Sequence, residues 1–405
     1  MTCYRAGAAE SWQVRDNVTQ SGIGLGLIGC GDVALRTYGP GLEPLAGHAT
    51  AVAVYDPDPT RSELLADDLV ALGLPRPAIA PTLDALLADH DVAAVLNLTP
   101  APFHHQVNVA SLQAGKHVFS EKPLAGTVAN ARATIDLARE RGLTLLCAPA
   151  VMATNRFRWL KAELDAGWLG RPTLAVGQMA NMGPAAWREY KGDPAVFYGP
   201  SVGPALDTGV YILHAITGLF GPARRVEAFG GVSIPRRNVL IPGREGQVID
   251  VAAPDHLLIH LDFGDNRFAQ VLSSFATPRS KAPALEIHAE MGTVSMSLEN
   301  WYEPDAPVDI WQRDERPNGN ERWKKITPPN SSQLSHLIQF GPEHFVAVLE
   351  GAEAPILTAE HATHVLEIIL AAGVSMEEGC AVEVNGLDGQ TARRPDGQTA
   401  RTRIS

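Results

Sequence analysis

From Gly22 to about Pro149 the chain alternates short, wholly apolar runs with longer amphipathic ones. GLGLIG, ATAVAVYD, VAAVLNLTP, HVFSEKP and LTLLCAP are too short for helices and show no alternation, the pattern of strands buried on both faces of a parallel sheet. Between them, RSELLADDLVALG and TVANARATIDLARERG carry helical spacing. RSELLADDLVALG and FHHQVNVASLQAG each end on a glycine, as a helix C-terminal cap prefers. Strand and helix in strict alternation predict a doubly wound α/β sheet with right-handed crossovers.

After Pro149 the rhythm changes. Two helical stretches, RFRWLKAELDAGWLG and ALDTGVYILHAITGLFG, precede a succession of strand-like runs. HLLIHLDFGDNRFAQVLSSFAT reads as a hairpin turning at Gly264, Asp265 and Asn266, and PALEIHAEMGTVSMSL as another turning at Gly292, so these strands are expected to be antiparallel. EHFVAVLEG and TAEHATHVLEIILAAGVSMEEG close the ordered part as helices. The expected fold class is therefore α/β: an N-terminal Rossmann dinucleotide-binding domain plus a C-terminal α+β domain with a large, mostly antiparallel open sheet. A chain of 405 residues is long for one core and suits two. The expected boundaries are a flexible extension over 1–21, the first domain over 22–149, the second over 150–386 with its last helices packing back on the first, and a disordered tail over 387–405. That tail repeats DGQTAR and has almost no large apolar residue; it is either a solubilising extension or a peptide-binding segment.

Composition narrows the classes. Hydrophobic residues make up 45% and charged residues 19%, enough apolar surface for cores. Lys plus Arg number 33 against 45 Asp plus Glu, a net charge of -12 that disfavours a nucleic-acid or anionic-membrane binder. Four scattered cysteines (Cys3, Cys30, Cys147, Cys380) show no CxxC spacing, so neither a disulfide framework nor a zinc site is indicated. The first residues have no apolar leader and no twin arginine, and no stretch approaches the roughly 18 apolar residues of a membrane span. A soluble cytoplasmic protein is expected.

In GLGLIGCGDVA, Gly29, Gly31 and Ala34 stand at GxGxxA spacing between an apolar strand and a helix, the context that makes this pattern informative. The first glycine allows a tight turn, the second lets a pyrophosphate approach the backbone, and the small third residue permits close helix packing. Asp56 closes the second strand in AVAVYDPDP. It either accepts both ribose hydroxyls of NAD, disfavouring the 2′-phosphate of NADP, or caps the next helix, and Arg61 leaves room for NADP. Cys30 inside the loop is read as a small residue that fits. KHVFSEKPLAG is less easily explained by folding: a buried strand ends on a charged pair, Glu121 and Lys122, held against Pro123.

GLIGCGDVA, LNLTPAPFHHQVNVASLQAGKHVFSEKPLA and GPALDTGVYILH together resemble the glucose-fructose oxidoreductase / inositol dehydrogenase / rhizopine-catabolism oxidoreductase family, from about Gly22 to about Glu383. The resemblance implies that Thr99, Pro100 and His104 border the cofactor, and that Glu121, Lys122 and Pro123 form the motif whose lysine sits beside the nicotinamide. In VGPALDTGVYILH, Asp207 matches the family's acidic residue, and Tyr211 stands four residues on, where many relatives have histidine. This is similar to the tyrosine branch of the family. His214, one turn further, is either an auxiliary group or a satisfied core histidine. Relatives often assemble through the open face of the second sheet, so a homodimer or homotetramer is implied.

The chemistry expected is hydride transfer between a nicotinamide and a secondary hydroxyl or ketone, with Lys122, Asp207 and Tyr211 as catalytic residues and no metal needed. Lys122 and Tyr211 would carry the proton, and Asp207 would orient the lysine or the substrate hydroxyl. The loop NMGPAAWREYKGDPAVFYGPSVG offers Trp187, Arg188, Tyr190, Lys191, Phe197 and Tyr198 for stacking and hydrogen bonding to a sugar, glycoside or cyclitol. Asn155 and Arg156 are further candidates for the same cleft. Two rivals remain: a glycosidase that oxidises and eliminates with NAD transiently, and a sensor without catalysis.

Overall fold

The computed structural model describes residues 22–386 apart from 201, 315, 317, 318, 320 and 330. The tail repeat and the N-terminal extension lie outside the described residues.

The first sheet has six strands: β1 (Ile23–Ile28), β2 (Ala49–Tyr55), β3 (Ala78–Ile79), β4 (Ala94–Asn97), β5 (His117–Ser120) and β6 (Leu145–Cys147). Their order is β3-β2-β1-β4-β5-β6, all parallel. The crossovers carry α1 (Pro59–Ala71), α2 (Leu83–Ala88), α3 (His104–Gln113) and α4 (Val128–Arg141). Asp58, not Asp56, caps α1, accepting from the Thr60 N–H at 3.0 Å. Register places Ile28 opposite Asn97, Asn97 opposite Ser120, and Ser120 opposite Cys147. The carboxyl ends of four strands are thus level, and the residues that follow them line one crevice, where ligands bind in such sheets.

The segment after the glycine turn differs from the regular α-helix that the glycine pattern predicts there. It is one turn of π-helix over Ala34–Tyr38 running into a 3-10 turn over Pro40–Leu45. Pro40 and Pro44 lack the N–H groups an α-helix would use, so the turn tightens instead of propagating.

Helix α5 (Asn155–Asp165) leads into a second sheet. Its strands are β7 (Pro172–Ala180), β8 (Arg225–Gly231), β11 (His256–Gly264), β12 (Arg267–Ser274), β13 (Leu285–Ala289), β14 (Gly292–Met296), β15 (Val308–Gln312), β16 (Trp323–Ile326) and β17 (Val382–Glu383), with β9 (Arg236–Asn238) and β10 (Val248–Asp250) forming a separate hairpin. The nine-stranded order is β16-β15-β14-β13-β7-β12-β11-β8-β17, antiparallel throughout except the parallel pair β7 and β12. The expected hairpins turn where the sequence placed them; Gly264, Asp265 and Asn266 all take positive φ.

One face of this sheet is covered by α6 (Val210–Phe220) and α8 (Ala359–Glu378). The helix α6 lies so close that a Cβ on Gly177 would come within 2.4 Å of Ile212. Helix α7 (Phe340–Leu349) and α8 return to the first sheet. Cys147 N–H donates to Leu357 O at 3.0 Å, and Ala359, Ala362 and Leu366 of α8 pack with Ala131, Ile135 and Leu145 in one apolar cluster. The two sheets are thereby joined by a buried seam behind the crevice.

Candidate active site

At the mouth of the crevice, Gly29 has φ +92, and a Cβ there would meet the Leu98 carbonyl carbon at 2.7 Å, so only glycine fits the turn. Gly31 has nothing within 4 Å of an added Cβ. The backbone at Gly31 therefore faces clear space, the feature a pyrophosphate needs for close approach. Ala34 is fully buried beneath it. Asp56 Oδ2 accepts from Cys30 N–H and Oδ1 from Asp58 N–H, both at 2.9 Å, which ties the end of β2 to the glycine turn. Burial pushes the Cys30 thiol up to about 12, so it fills space and is no thiolate.

Thr99 hydroxyl donates to Asn97 Oδ1 at 2.7 Å, which fixes the turn after β4, and Pro100 at that turn is exposed. His104 is 1% exposed and stands between Thr99 O and Pro123 O, each 2.6 Å from a ring nitrogen. Burial pushes its imidazole below the usual histidine value while the two carbonyls pull it up. Its side chain braces two crevice loops and presents no surface to a ligand.

The charged end of β5 now has a structural account. Glu121 is 8% exposed; it accepts from Tyr38 hydroxyl at 2.7 Å and from Lys122 N–H at 2.9 Å. Tyr38, fully buried, comes from the π turn after the glycine loop. Lys122 Nζ crosses to the second sheet's helix and donates to Asp207 O at 2.7 Å, with Leu206 O at 3.4 Å and Asp207 Oδ1 at 3.5 Å. The Lys122 and Asp207 side chains are 15% and 17% exposed. Burial raises the Asp207 carboxyl above its usual range despite the Lys122 ammonium beside it.

Asp207 lies in a π turn, Ala205–Gly209, that opens α6. Gly209 lets that turn sit against Ser273, since a Cβ there would reach its Oγ at 2.5 Å. Tyr211 follows, 6% exposed, with Lys122 Nζ 5.5 Å from its ring centroid. Its ring meets Tyr302 edge-on at 5.5 Å, and Tyr302 stacks on His336 at 5.1 Å. The Tyr211 hydroxyl has no hydrogen-bond partner among the described residues. Burial first, then Tyr302, Glu121 and Asp207, hold it well above the usual phenol value, so it stays a neutral donor.

The aromatic loop divides. Trp187 and Arg188 are exposed, and Trp187 stacks on Tyr190 at 5.4 Å while Arg36, paired to Asp32, sits 4.4 Å over its ring. This contact reaches from the glycine-loop segment to the second sheet's loop across the crevice. Tyr198, by contrast, is 1% exposed and accepts from Ala185 N–H at 3.1 Å, so it holds the loop from inside. Asn155 is half-buried, while Arg156 is enclosed and donates to Trp301 O at 2.7 Å. His214 is buried and lines a small cavity together with Lys122. Sequence reasoning missed Tyr38, Tyr302, His336, Asp32 and Arg36. Nothing in their local pattern marks them: Asp32, Arg36 and Tyr38 come from the short turns after the glycine motif, and Tyr302 and His336 from irregular segments.

A parallel six-stranded sheet with this glycine turn is the architecture of a dinucleotide-binding fold, and a lysine and an acid meet across its crevice. Residues 23–148 match the oxidoreductase family with NAD-binding Rossmann fold, and residues 157–295 match the GFO/IDH/MocA C-terminal domain. The chain belongs to that family. It is 28% identical over 324 residues to dTDP-3,4-didehydro-2,6-dideoxy-alpha-D-glucose 3-reductase of Streptomyces violaceoruber, covering 80% of this chain and 85% of the relative. It is 32% identical over 168 residues to inositol 2-dehydrogenase of Acidothermus cellulolyticus, covering 41% and 47% of the two chains. Among solved structures, levoglucosan dehydrogenase in complex with NADH and levoglucosan has a TM-score of 0.74 at 18% identity, covering 90% of this chain and 99% of that one, a likeness of fold.

Proposed function

We propose that the protein transfers a hydride between NAD(H) and a secondary hydroxyl, or the matching ketone, of a sugar, glycoside or cyclitol. The observation that carries this is the convergence of Lys122, from the end of β5, with Asp207 and the Tyr211 ring, from α6 and the turn that opens it, at one end of the glycine-turn crevice. Gly29, Gly31, Ala34, Asp56 and Thr99 would hold the cofactor, with Pro100 at the rim and His104 bracing the loops. The bound nicotinamide supplies the hydride acceptor or donor.

The chain's own residues handle the proton. Lys122 and Tyr211 flank the place where the reacting oxygen would sit, and Asp207 holds the lysine by its carbonyl and carboxylate. In reduction Tyr211, kept neutral by burial, donates its proton to the developing alkoxide and the Lys122 ammonium returns one to the phenolate; in oxidation the proton runs the opposite way. Trp187 and Arg188 would meet the ring and hydroxyls of a substrate at the open side. The names of the relatives support a sugar or cyclitol as substrate. NAD is preferred over NADP because Asp56 places a carboxylate at the end of β2, although a relative named D-xylose 1-dehydrogenase (NADP(+)) 2 keeps the second cofactor in the test. A cytoplasmic setting fits the free Cys30, Cys147 and Cys380.

The test is NADH formation with NAD⁺ across pyranoses, glycosides and cyclitols, with NADP⁺ run in parallel and aglycone release followed in the same tubes. Turnover with NAD⁺ on a member of the panel is the expected result. Aglycone release without net NADH, or binding without turnover of any compound in either direction, would overturn it.

A further inference from the structure

Beside Lys122, between α6 and α8, lies a small cavity lined by Lys122, Leu206, Val210, His214, Ala362 and Leu366 among others. About 10 Å³ of it is open to a water-sized sphere, roughly the room of one molecule. Its walls are apolar except for Lys122, His214 and backbone. His214 is 4% exposed, and its Nδ1 lies 2.8 Å from Val210 O, a contact that requires Nδ1 to carry the proton. Nε2, on the opposite edge of the ring, is then a bare acceptor, and it is buried with no partner. A buried unpaired acceptor costs about 1–3 kcal/mol, so its persistence calls for a donor.

The neighbouring histidine does not provide one. His361 packs against His214 with ring centroids 4.9 Å apart, but its Nε2 is 2.7 Å from Thr217 Oγ1. Thr217 hydroxyl already donates to Leu213 O, so its oxygen accepts and His361 uses its proton there. His364 is likewise engaged, with Asn385 O and Ala223 N–H. On the other wall, Leu206 O is 3.4 Å from Lys122 Nζ, a long contact for an ammonium, and Leu206 lines the same cavity.

We propose that one water occupies this cavity, donating to His214 Nε2 and accepting from Lys122 Nζ, so that His214 is a positioning residue that aims the lysine at the substrate oxygen. This rests on the reading of Lys122 as a catalytic residue. His214 stays neutral and takes no proton from the reaction; burial and His361 hold it well below the usual histidine value. Besides His214, the groups facing Lys122 are Asp207, Glu121, Tyr211 and His104, and none of them lines the cavity.

The test compares wild type with His214→Leu and His214→Gln, using the panel substrate that turns over, and adds a crystal structure of the NAD complex. Glutamine can place an amide oxygen where Nε2 stood; leucine cannot. His214→Leu should lower kcat about tenfold with KM and NADH affinity within twofold, since small misplacement of a reacting group costs rate more than binding. His214→Gln should recover most of that loss, and wild-type density should show one water bridging Nε2 and Nζ. Full kcat in His214→Leu, failure of His214→Gln to recover it, or a dry cavity would overturn the proposal. Lys122→Ala run beside them separates the two claims: an unchanged kcat there sinks the functional reading itself, whereas a lost kcat with an indifferent His214→Leu sinks only the water.

Discussion

At the scale of single residues, the two glycines of the turn separate folding from binding. Gly31→Ala adds a methyl group into clear space, so Tm should stay within a degree or two while NAD⁺ affinity falls about tenfold or more. Gly29→Ala forces a positive φ and a backbone clash, so it should lose about 1–3 kcal/mol or more of stability before binding is considered. Calorimetry on both variants, with and without NAD⁺, checks the pair; equal NAD⁺ affinity in Gly31→Ala and wild type would remove the crevice as the pyrophosphate site. Asp207 makes a pH prediction. Its carboxyl is raised in the folded state, so that state binds the proton more tightly than the unfolded chain does. Stability linked to it is present below the unfolded carboxylate value and declines as pH rises through the folded one. Asp207→Asn should therefore match wild type near pH 4 and exceed its Tm at pH 7–8, while losing activity. A Tm for Asp207→Asn below wild type at pH 8 would contradict this.

At the scale of elements, the wall of the cleft depends on the hairpin β9–β10. Arg237 and Asp255 form an ion pair only 7% and 1% exposed, with Arg237 also donating to Phe275 O at 2.7 Å and Asp255 accepting from Ser233 and Ile234 N–H. With Tyr198 and Phe275 they fasten the aromatic loop from beneath. Removing one partner of a buried pair leaves an uncompensated charge, so Arg237→Met should cost about 3–5 kcal/mol in urea unfolding; a loss near zero would show the pair to be dispensable. The sequence made the strands legible because their apolar runs are continuous and their glycine stops local. It made the EKP strand end and the Asp207 helix legible for the same reason, as short motifs on regular elements. Tyr198 and Arg156 were read as ligand contacts because residue type does not disclose which side of a loop faces inward. Tyr38 and Tyr302 were invisible, since their roles arise from contacts 83 and 91 residues away in the chain, to Glu121 and Tyr211.

At the scale of the whole molecule, the second sheet has one covered and one open face. Leu174, Val176, Phe229 and Phe268 lie on the open side, 38%, 37%, 63% and 48% exposed, and register places Phe268 beside Leu174. An apolar face of this kind fits contact with a second copy, so sedimentation should show a dimer or tetramer that Phe268→Glu weakens; a wild-type monomer would contradict that. The candidate site depends on how the two sheets are joined, because Lys122 follows β5 of the first while Asp207 and Tyr211 lie on α6, and the turn that opens it, packed on the second. In the proposed function this junction moves the proton. That role is tested most directly by kcat for NADH formation in Lys122→Ala against wild type at saturating substrate, with NADH binding measured on both. A fall of about 10²–10⁴-fold with cofactor binding intact is predicted. A kcat within threefold of wild type would contradict it.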